Sequence, residues 1–367
     1  CTSSRTPLDP TEFCAQSCQG RARTVSGGSR NVMNRLTFPI IVITALALLI
    51  GGYAIFRSQS NNDLIRTSVR FPIPIVEAGQ TGFYVAREKG YYAEEGLDVT
   101  FHHSTPTLGP IRAVATEIDD FGMIGGLDTL LAARGKGRPL TAVGILHRNA
   151  KFVALYSLKD SGITTAADLT NKKVGFFYGH ISEVFIRSYL KKEHVTVQEV
   201  GMKYYDYSRL TSGDIDAMPG FKATVLPDVE EKGIEVTVID PADSGVVMQG
   251  YTLFVTDGFL RGRPEIIAKF LRATFRGYRD SVTNPQEGVE LLTKHDAALS
   301  SATELKRLPF YSEPMSTDPY GYMDKQMFRM TYDRLDGLGL IVTPFNPQDA
   351  FDSSFVEEVA VRSEDLK

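Results

Sequence analysis

The chain has 367 residues, of which 43% are hydrophobic and 23% charged, and a formal net charge of −4. This is a globular composition with room for about two domains, and the lack of a basic excess argues against a nucleic-acid backbone as partner. The three cysteines, Cys1, Cys14 and Cys18, all lie in the first 18 residues, so the body uses neither disulfides nor thiol chemistry.

Residues 1–35 are rich in Ser, Arg and Gly and read as a disordered cytoplasmic tail or a non-native extension, with Met33 as an alternative start. Residues 36–56, "LTFPIIVITALALLIGGYAIF", form an apolar run of the length that spans a bilayer. Arg30 and Arg35 precede it, which places the first segment inside and everything after Phe56 on the extracytoplasmic side of the cell membrane. A cleaved signal peptide is the alternative, but its apolar core is shorter, about 7–15 residues, and ends in a small-x-small site. Neither that site nor a lipoprotein-type Cys follows here, so an uncleaved single-pass anchor is the preferred reading.

Residues 57–66 read as a polar linker, and a regular alternation follows. "TSVRFPI" is strand-like, 79–89 helical, "LDVTFHH" a strand, 109–117 helical, "DFGMIGG" a strand, 127–134 helical and "LTAVGILH" a strand. The pattern then restarts with "FVALYS", a short helix from Ala166, a strand through "KKVGFF", a helix over 181–192, "EVGMKYY", "DIDAMPGF", a helix over 223–232 and "IEVTVID". After "GYTLFVTDGFL" the chain turns helical, over 264–282, 287–294, 302–310 and 323–335. Strands alternating with helices imply mostly parallel sheets. The expected organisation is an α/β protein of two lobes: 67–150 with about 250–345 in one, 151–249 in the other, and 346–367 as a C-terminal tail. Such lobes close on a small ligand held at the carboxyl ends of their strands.

Four passages in order resemble a known family. "GFYVAREKGYYAEEGLDVTF", "DFGMIGGLDTLLAARGKGRPLTAVG", "ITTAADLTNKKVGF" and "LTSGDIDAMPGF" are similar to the solute-binding proteins of ABC importers for thiamine pyrimidine precursors, sulfonates and nitrate, and to related eukaryotic pyrimidine-synthesis proteins. The resemblance spans about residues 67–345. It implies a type II periplasmic-binding-protein fold with a central ligand cleft and an ABC permease and ATPase as partners, a role that the single transmembrane tether read from residues 36–56 fits. It also implies that Asp216, in the "GDIDA" crossover, braces the backbone.

The expected ligand-binding residues are Gln80, Thr81, Phe83, Tyr84, Asp128, Tyr178, Ser182, Tyr205, Asp206 and Tyr207, all at predicted strand ends or helix starts. Flat rings stack on flat rings, so this inventory points to a planar heteroaromatic ligand. In an extended "KYYDY" segment Tyr205 and Tyr207 share one face. Riboflavin is the first candidate, because its ring would stack on Tyr and its ribityl chain would take polar partners. A thiamine pyrimidine precursor is the second, although the acidic residue with which those binders grip an aminopyrimidine is replaced here by the stretch around Lys222 and Thr224. Gly79-Gln80-Thr81-Gly82 at a helix start keeps a sulfonate or nitrate reading open.

Each residue has a plainer reading. A tyrosine at a strand end is often partial core, Asp128 is equally explained as an N-cap, Asp206 as a turn carboxylate, and Glu94, Glu95 and Lys89 as a solvated turn. His102, His103 and His180 lack partners at metal-ligand spacing, so neither a metal nor a cofactor is expected. The eukaryotic relatives carry a Cys-rich, iron-associated motif, whereas no Cys follows Cys18, and no G-x-S-x-G, P-loop or HExxH is present. A binding protein is expected rather than an enzyme.

Overall fold

A computed structural model describes residues 64–147, 151–178, 181–203, 205–312 and 319–364. All of these belong to the compact unit Asp63–Lys367. The apolar run 36–56 and its flanks lie outside the described residues, as do His180 and Tyr204. Among the described residues no helix is long and apolar enough to cross a membrane.

The first lobe begins with β1 (Ile65–Phe71), a 3-10 turn (Ala78–Gln80), α1 (Thr81–Glu88), α2 (Tyr91–Glu94) and β2 (Leu97–His103). It continues through α3 (Pro110–Ala115), β3 (Phe121–Ile124), α4 (Leu127–Arg134) and β4 (Leu140–Ile145). The second comprises β5 (Val153–Leu158), β6 (Lys173–Phe176), α5 (Ile181–Lys192), β7 (Gln198–Gly201), α6 (Tyr207–Thr211), β8 (Ala217–Phe221), α7 (Lys222–Glu231) and β9 (Val236–Ile239). The chain then returns through β10 (Thr252–Thr256) and ends in α8 (Asp257–Gly262), α9 (Pro264–Thr283), α10 (Pro285–Thr293), α11 (Ser301–Ser312), α12 (Lys325–Gly337) and α13 (Ser354–Glu364).

The two sheets share one plan. Their strand orders are β2-β1-β3-β10-β4 and β7-β6-β8-β5-β9, so each contains one strand that arrives from the other lobe. Those two visitors, β10 and β5, run antiparallel to both neighbours. Their sequences, "TLFVT" and "VALYSL", are almost continuously apolar because each occupies an interior position covered on both faces. Alternation sorts β5: Val153 and Leu155 enter one core of the second lobe, Ala154 and Tyr156 the other.

The core of the first lobe is rich in rings. Phe121 stacks on Phe270 at 4.0 Å, and Phe71 meets Phe83 edge-on at 4.9 Å. α9 starts on Pro264 and buries Ile266, Ile267, Phe270, Leu271, Phe275 and Tyr278, a helical stripe that lies on α1. Their approach is close: a Cβ on Gly277 would stand 2.1 Å from the Gly82 carbonyl oxygen. The expected C-terminal tail is instead part of this lobe, because Ala350, Phe355, Val356 and Val359 bury their apolar side chains in its core. Glu94, Glu95 and Lys89 also differ from a solvated turn. Glu95 pairs with Arg272 and Glu94 with Arg276, while Lys89 reaches Asp280 and Glu287, so the turn is tied to α9 and α10.

The two crossovers between the lobes hydrogen-bond to each other. The Leu146 N–H donates to the Tyr251 carbonyl at 2.8 Å and the Gly250 N–H to the His147 carbonyl at 2.9 Å. Gly250 is required at this crossing, since a Cβ there would stand 2.4 Å from the Phe152 ring. Asp216 accepts the Lys173 N–H at 2.8 Å and its own N–H returns to the Lys173 carbonyl at 2.7 Å, a brace between β6 and the start of β8.

Candidate functional site

A helix start leaves backbone N–H groups without partners; at the turn before α1 the protein itself takes one of them, at Ala78, and also caps two carbonyls. The Ala78 N–H donates to the Glu304 carboxylate at 2.7 Å, the Tyr278 hydroxyl to the Gly79 carbonyl at 2.7 Å and the Thr81 hydroxyl to the Ala78 carbonyl at 2.6 Å. Gln80 donates its amide to the Ile75 carbonyl at 3.2 Å. That leaves the Gln80 Oε1 atom without a partner in a residue of 0% exposure. Next to it stands Glu77, whose two carboxylate oxygens accept the hydroxyls of Tyr251 and Tyr311.

From Glu77 a run of aromatic contacts leads across the hinge. Tyr251 stacks on His147 with centroids 4.6 Å apart and on Tyr311 at 5.6 Å. His147 meets Phe152 edge-on at 5.8 Å, and Phe152 stacks on Phe221 at 5.5 Å. The Phe221 N–H donates to the Tyr205 hydroxyl at 3.2 Å, and Tyr205 lies parallel to Tyr207 at 6.5 Å and edge-on to Phe177 at 5.1 Å. Ring contacts, bridged between Phe221 and Tyr205 by that backbone hydrogen bond, therefore connect the first lobe, both crossovers and the second lobe. Beside them are buried polar atoms without partners: His147 Nε2, Tyr156 Oη and both amide atoms of Gln249. Arg307 Nε is a further buried donor without a partner, and Asp128 Oδ2 and Arg334 Nε are two more orphaned atoms at the contact of α4 with α12. Buried polar groups are normally satisfied, so the orphans beside the rings are atoms available to a bound partner.

Burial sets the protonation of the corner. It raises the Glu77 and Glu304 carboxyls above the usual range, against the lowering effect of the tyrosine hydroxyls at Glu77 and of Arg307 at Glu304. It lowers His147 to about 3, which keeps that ring neutral and able to accept a hydrogen bond. Burial pushes Tyr205 up to about 12, with the charges of Glu77 and Asp228 adding to it. Arg307 joins the two lobes: it donates to Glu304 at 3.0 Å and lies 3.4 Å from Asp228 on α7, whose carboxylate also accepts the Tyr207 hydroxyl at 3.0 Å.

The expected ligand residues separate into two groups. Gln80, Thr81, Tyr205 and Tyr207 belong to the corner and the ring seam. Phe83 does not, because it sits at 0% exposure inside the first core against Phe71 and Tyr278. Tyr84 turns to His103, to which its hydroxyl is 3.2 Å away, and to the His295 ring at 4.8 Å. Asp128 is neither an N-cap nor free, since it lies within α4 and pairs with Arg334 on α12. Asp206 accepts the Ser208 N–H and hydroxyl as the N-cap of α6, the local use that a short carboxylate serves best. Tyr178 is 56% exposed, over Phe176 and bonded to Glu199. Ser182 is buried near the start of α5. β7 ends at Gly201, so Tyr205 and Tyr207 lie outside that strand, and Tyr207 reaches Tyr205 from the first turn of α6.

Glu77, His147, Gln249, Tyr251, Arg307 and Tyr311 were not among the expected residues. His147, Gln249 and Tyr251 have one sequence signal, their place at the crossovers between lobes. Glu77 and Tyr311 have none, since 234 positions separate them. A separate cavity of about 350 Å³ lies between α5 and α12, lined by Lys191, Val247, Met327, Met330 and Leu338, and holds none of the expected residues.

Comparison with known proteins places this geometry in context. The model of a family described as NMT1/THI5 like matches residues 77–288. The riboflavin-binding protein RibY of Chloroflexus aurantiacus is 26% identical over 292 residues, 75% of this chain and 81% of RibY. The formylaminopyrimidine-binding protein of Halalkalibacterium halodurans is 28% identical over 289 residues, 75% of this chain and 86% of its own. Similar, too, is a Legionella pneumophila protein named 4-amino-5-hydroxymethyl-2-methylpyrimidine phosphate synthase, at 25% identity over 64% of this chain and 77% of its own. Among solved structures, the periplasmic sulfonate-binding protein SsuA of Methylobacillus flagellatus matches with a TM-score of 0.66 and 16% identity over 83% of this chain and 96% of its own. That likeness concerns the fold alone: two α/β lobes arranged as in a periplasmic binding protein.

Proposed function

Because the chain belongs to the NMT1/THI5-like family, we propose that it is the extracytoplasmic solute-binding component of an ABC importer, capturing a flat heteroaromatic vitamin or vitamin precursor, with riboflavin first. The observation that carries this reading is the seam of rings from Tyr251 and His147 through Phe152 and Phe221 to Tyr205, bordered by unpartnered buried Gln80 Oε1, His147 Nε2 and the Gln249 amide. Rings supply stacking area to a planar ligand, and the orphaned atoms supply both donors and acceptors to its polar edge. Similarity to RibY supports the flavin.

A pyrimidine precursor of thiamine is the second reading, favoured by the likeness to the formylaminopyrimidine-binding protein. Binding rather than synthesis is proposed, since the body contains no Cys with which to build the iron-associated motif of the eukaryotic relatives. Closure of the lobes over the ligand would present the form that a permease and its ATPase recognise. The apolar run 36–56 would serve as the tether to the cell membrane.

The test is calorimetry and thermal unfolding of the full chain with riboflavin, hydroxymethyl- and formylaminopyrimidine, an alkanesulfonate and nitrate. A receptor of this kind binds at nanomolar to micromolar Kd, about 8–12 kcal/mol, and is stabilised by its ligand. Binding of riboflavin that is lost in Tyr205→Ala is the expected result. Binding of the sulfonate or nitrate alone would refute the reading.

A further inference from the structure

We propose that the cavity between α5 and α12 is a second binding site, sharing no residue with the ring seam, for a small carboxylate that carries an aromatic body. Its volume is about 350 Å³ and both lobes build it: Lys191 and Lys192 come from α5, Val246 and Val247 from the returning crossover, and Met327 and Met330 from α12. That volume lies within the range of ligand pockets. Since a cavity of about 150 Å³ holds benzene, this one takes a molecule of about a dozen non-hydrogen atoms. Its walls are largely apolar. Met327 and Met330, three positions apart, share a face of α12, and thioethers make favourable contacts with aromatic rings. Met330 leaves 46% of its surface exposed, so a ring laid against it would gain burial.

Lys191 and Lys192 supply the charge. Each donates to one backbone carbonyl, Lys191 to Gly337 at 3.2 Å and Lys192 to Ser244, and an ammonium has three donors. Neither forms an ion pair among the described residues. The other charges here are matched: Arg334, which also lines the cavity, by Asp128, Asp333 by Arg329 at 3.0 Å, and Asp243 by Lys151 at 3.6 Å. Glu193 and Asp336 are close in sequence but do not line the cavity. The buried Nε atom of Arg334 has no partner and adds a donor to the lining; Asp128 Oδ2 is an unpartnered acceptor, but Asp128 is not part of the lining. Two ammonium groups without carboxylate partners, set beside apolar walls, complement an anionic head on an apolar body.

The experiment is calorimetry on the full chain with phenylbutyrate, phenylbutanol and phenylbutylamine, which share a body and differ in the charge of the head. The expected result is that the acid binds with a Kd below about 1 mM and at least about tenfold more tightly than the alcohol or the amine. Lys191→Met combined with Lys192→Met, at two exposed positions, should weaken the acid by about tenfold. Tyr205→Ala, in the ring seam, should leave its affinity unchanged. Should the double variant fail to fold, Met330→Glu, which sets a carboxylate at a partly exposed place in the lining, should weaken the acid by a similar factor of about ten. Absence of binding by the acid, equal binding of acid and alcohol, indifference to the variants of the lining, or a loss in Tyr205→Ala would each overturn the inference and leave the reading of the ring seam standing.

Discussion

Tyr251, one residue before the strand that re-enters the first lobe, donates its hydroxyl to the carboxylate of Glu77, which lies 174 positions earlier and at the start of the first helix. The bond ties the hinge to the loop that begins α1. Tyr251→Phe keeps the ring stacked on His147 and removes only this donor. The expected loss is about 1.5–3 kcal/mol of stability, measured by urea unfolding, because a bond to a charged, buried acceptor is lost. The loss should depend on pH. The Glu77 carboxyl is raised above 4.5, so its contribution favours the folded chain below 4.5 and fades as pH rises through its folded value. Tyr251→Phe therefore costs more at pH 8 than at pH 4, where the carboxyl is protonated.

His147 gives a prediction of the opposite sign. Its pKa is about 3 in the folded chain against 6.5 ordinarily, so between those values the unfolded chain binds a proton that the folded chain does not. Stability is fully present above pH 6.5 and falls as the solution is acidified toward pH 3, by up to about 1.4 kcal/mol per pH unit. Unfolding of the native chain and of His147→Gln across that interval should diverge with this slope. Parallel curves would show that the ring is not buried in its neutral form.

Arg307 bridges Glu304 in the first lobe and Asp228 in the second. Arg307→Met removes the charge and leaves Glu304 buried without its partner, with an expected cost of about 3 kcal/mol. Scattering measurements on the same variant should show a larger radius of gyration, because one connection between the lobes is gone. If size and stability both match the native chain, Arg307 does not link the lobes.

Gly277→Ala tests the contact of α9 with α1. Its Cβ would meet the Gly82 carbonyl oxygen at 2.1 Å and the Ala86 Cβ at 2.8 Å. Neither neighbour is a flexible side-chain end, so the helices must separate, at a cost of about 1–3 kcal/mol. The helix-propensity gain of about 1 kcal/mol from replacing Gly does not offset it. Thermal unfolding should show a lower Tm.

The sequence by itself determined the repeating αβ pattern, the two lobes and most helix positions. Continuous apolar strands and helical stripes of the kind seen in α9 follow from local periodicity and from whether one face or both are covered. It also placed Gln80 at a helix start and Tyr205 after a strand end, positions next to the proposed site, since strand ends and helix starts are readable locally. What it left open was which polar group meets which. Phe83 and Gln80 are three positions apart on the same helix start, yet one is core and the other carries an orphaned oxygen, and only the packing of α9 against α1 separates them. Glu77 meets Tyr251 and Tyr311, and Ala78 meets Glu304, over separations of 174 to 234 positions. Such partners leave no periodic trace in the chain. They are decided where the crossovers and α11 are brought together, and there burial converts ordinary side chains into a site by removing the water that would otherwise satisfy them.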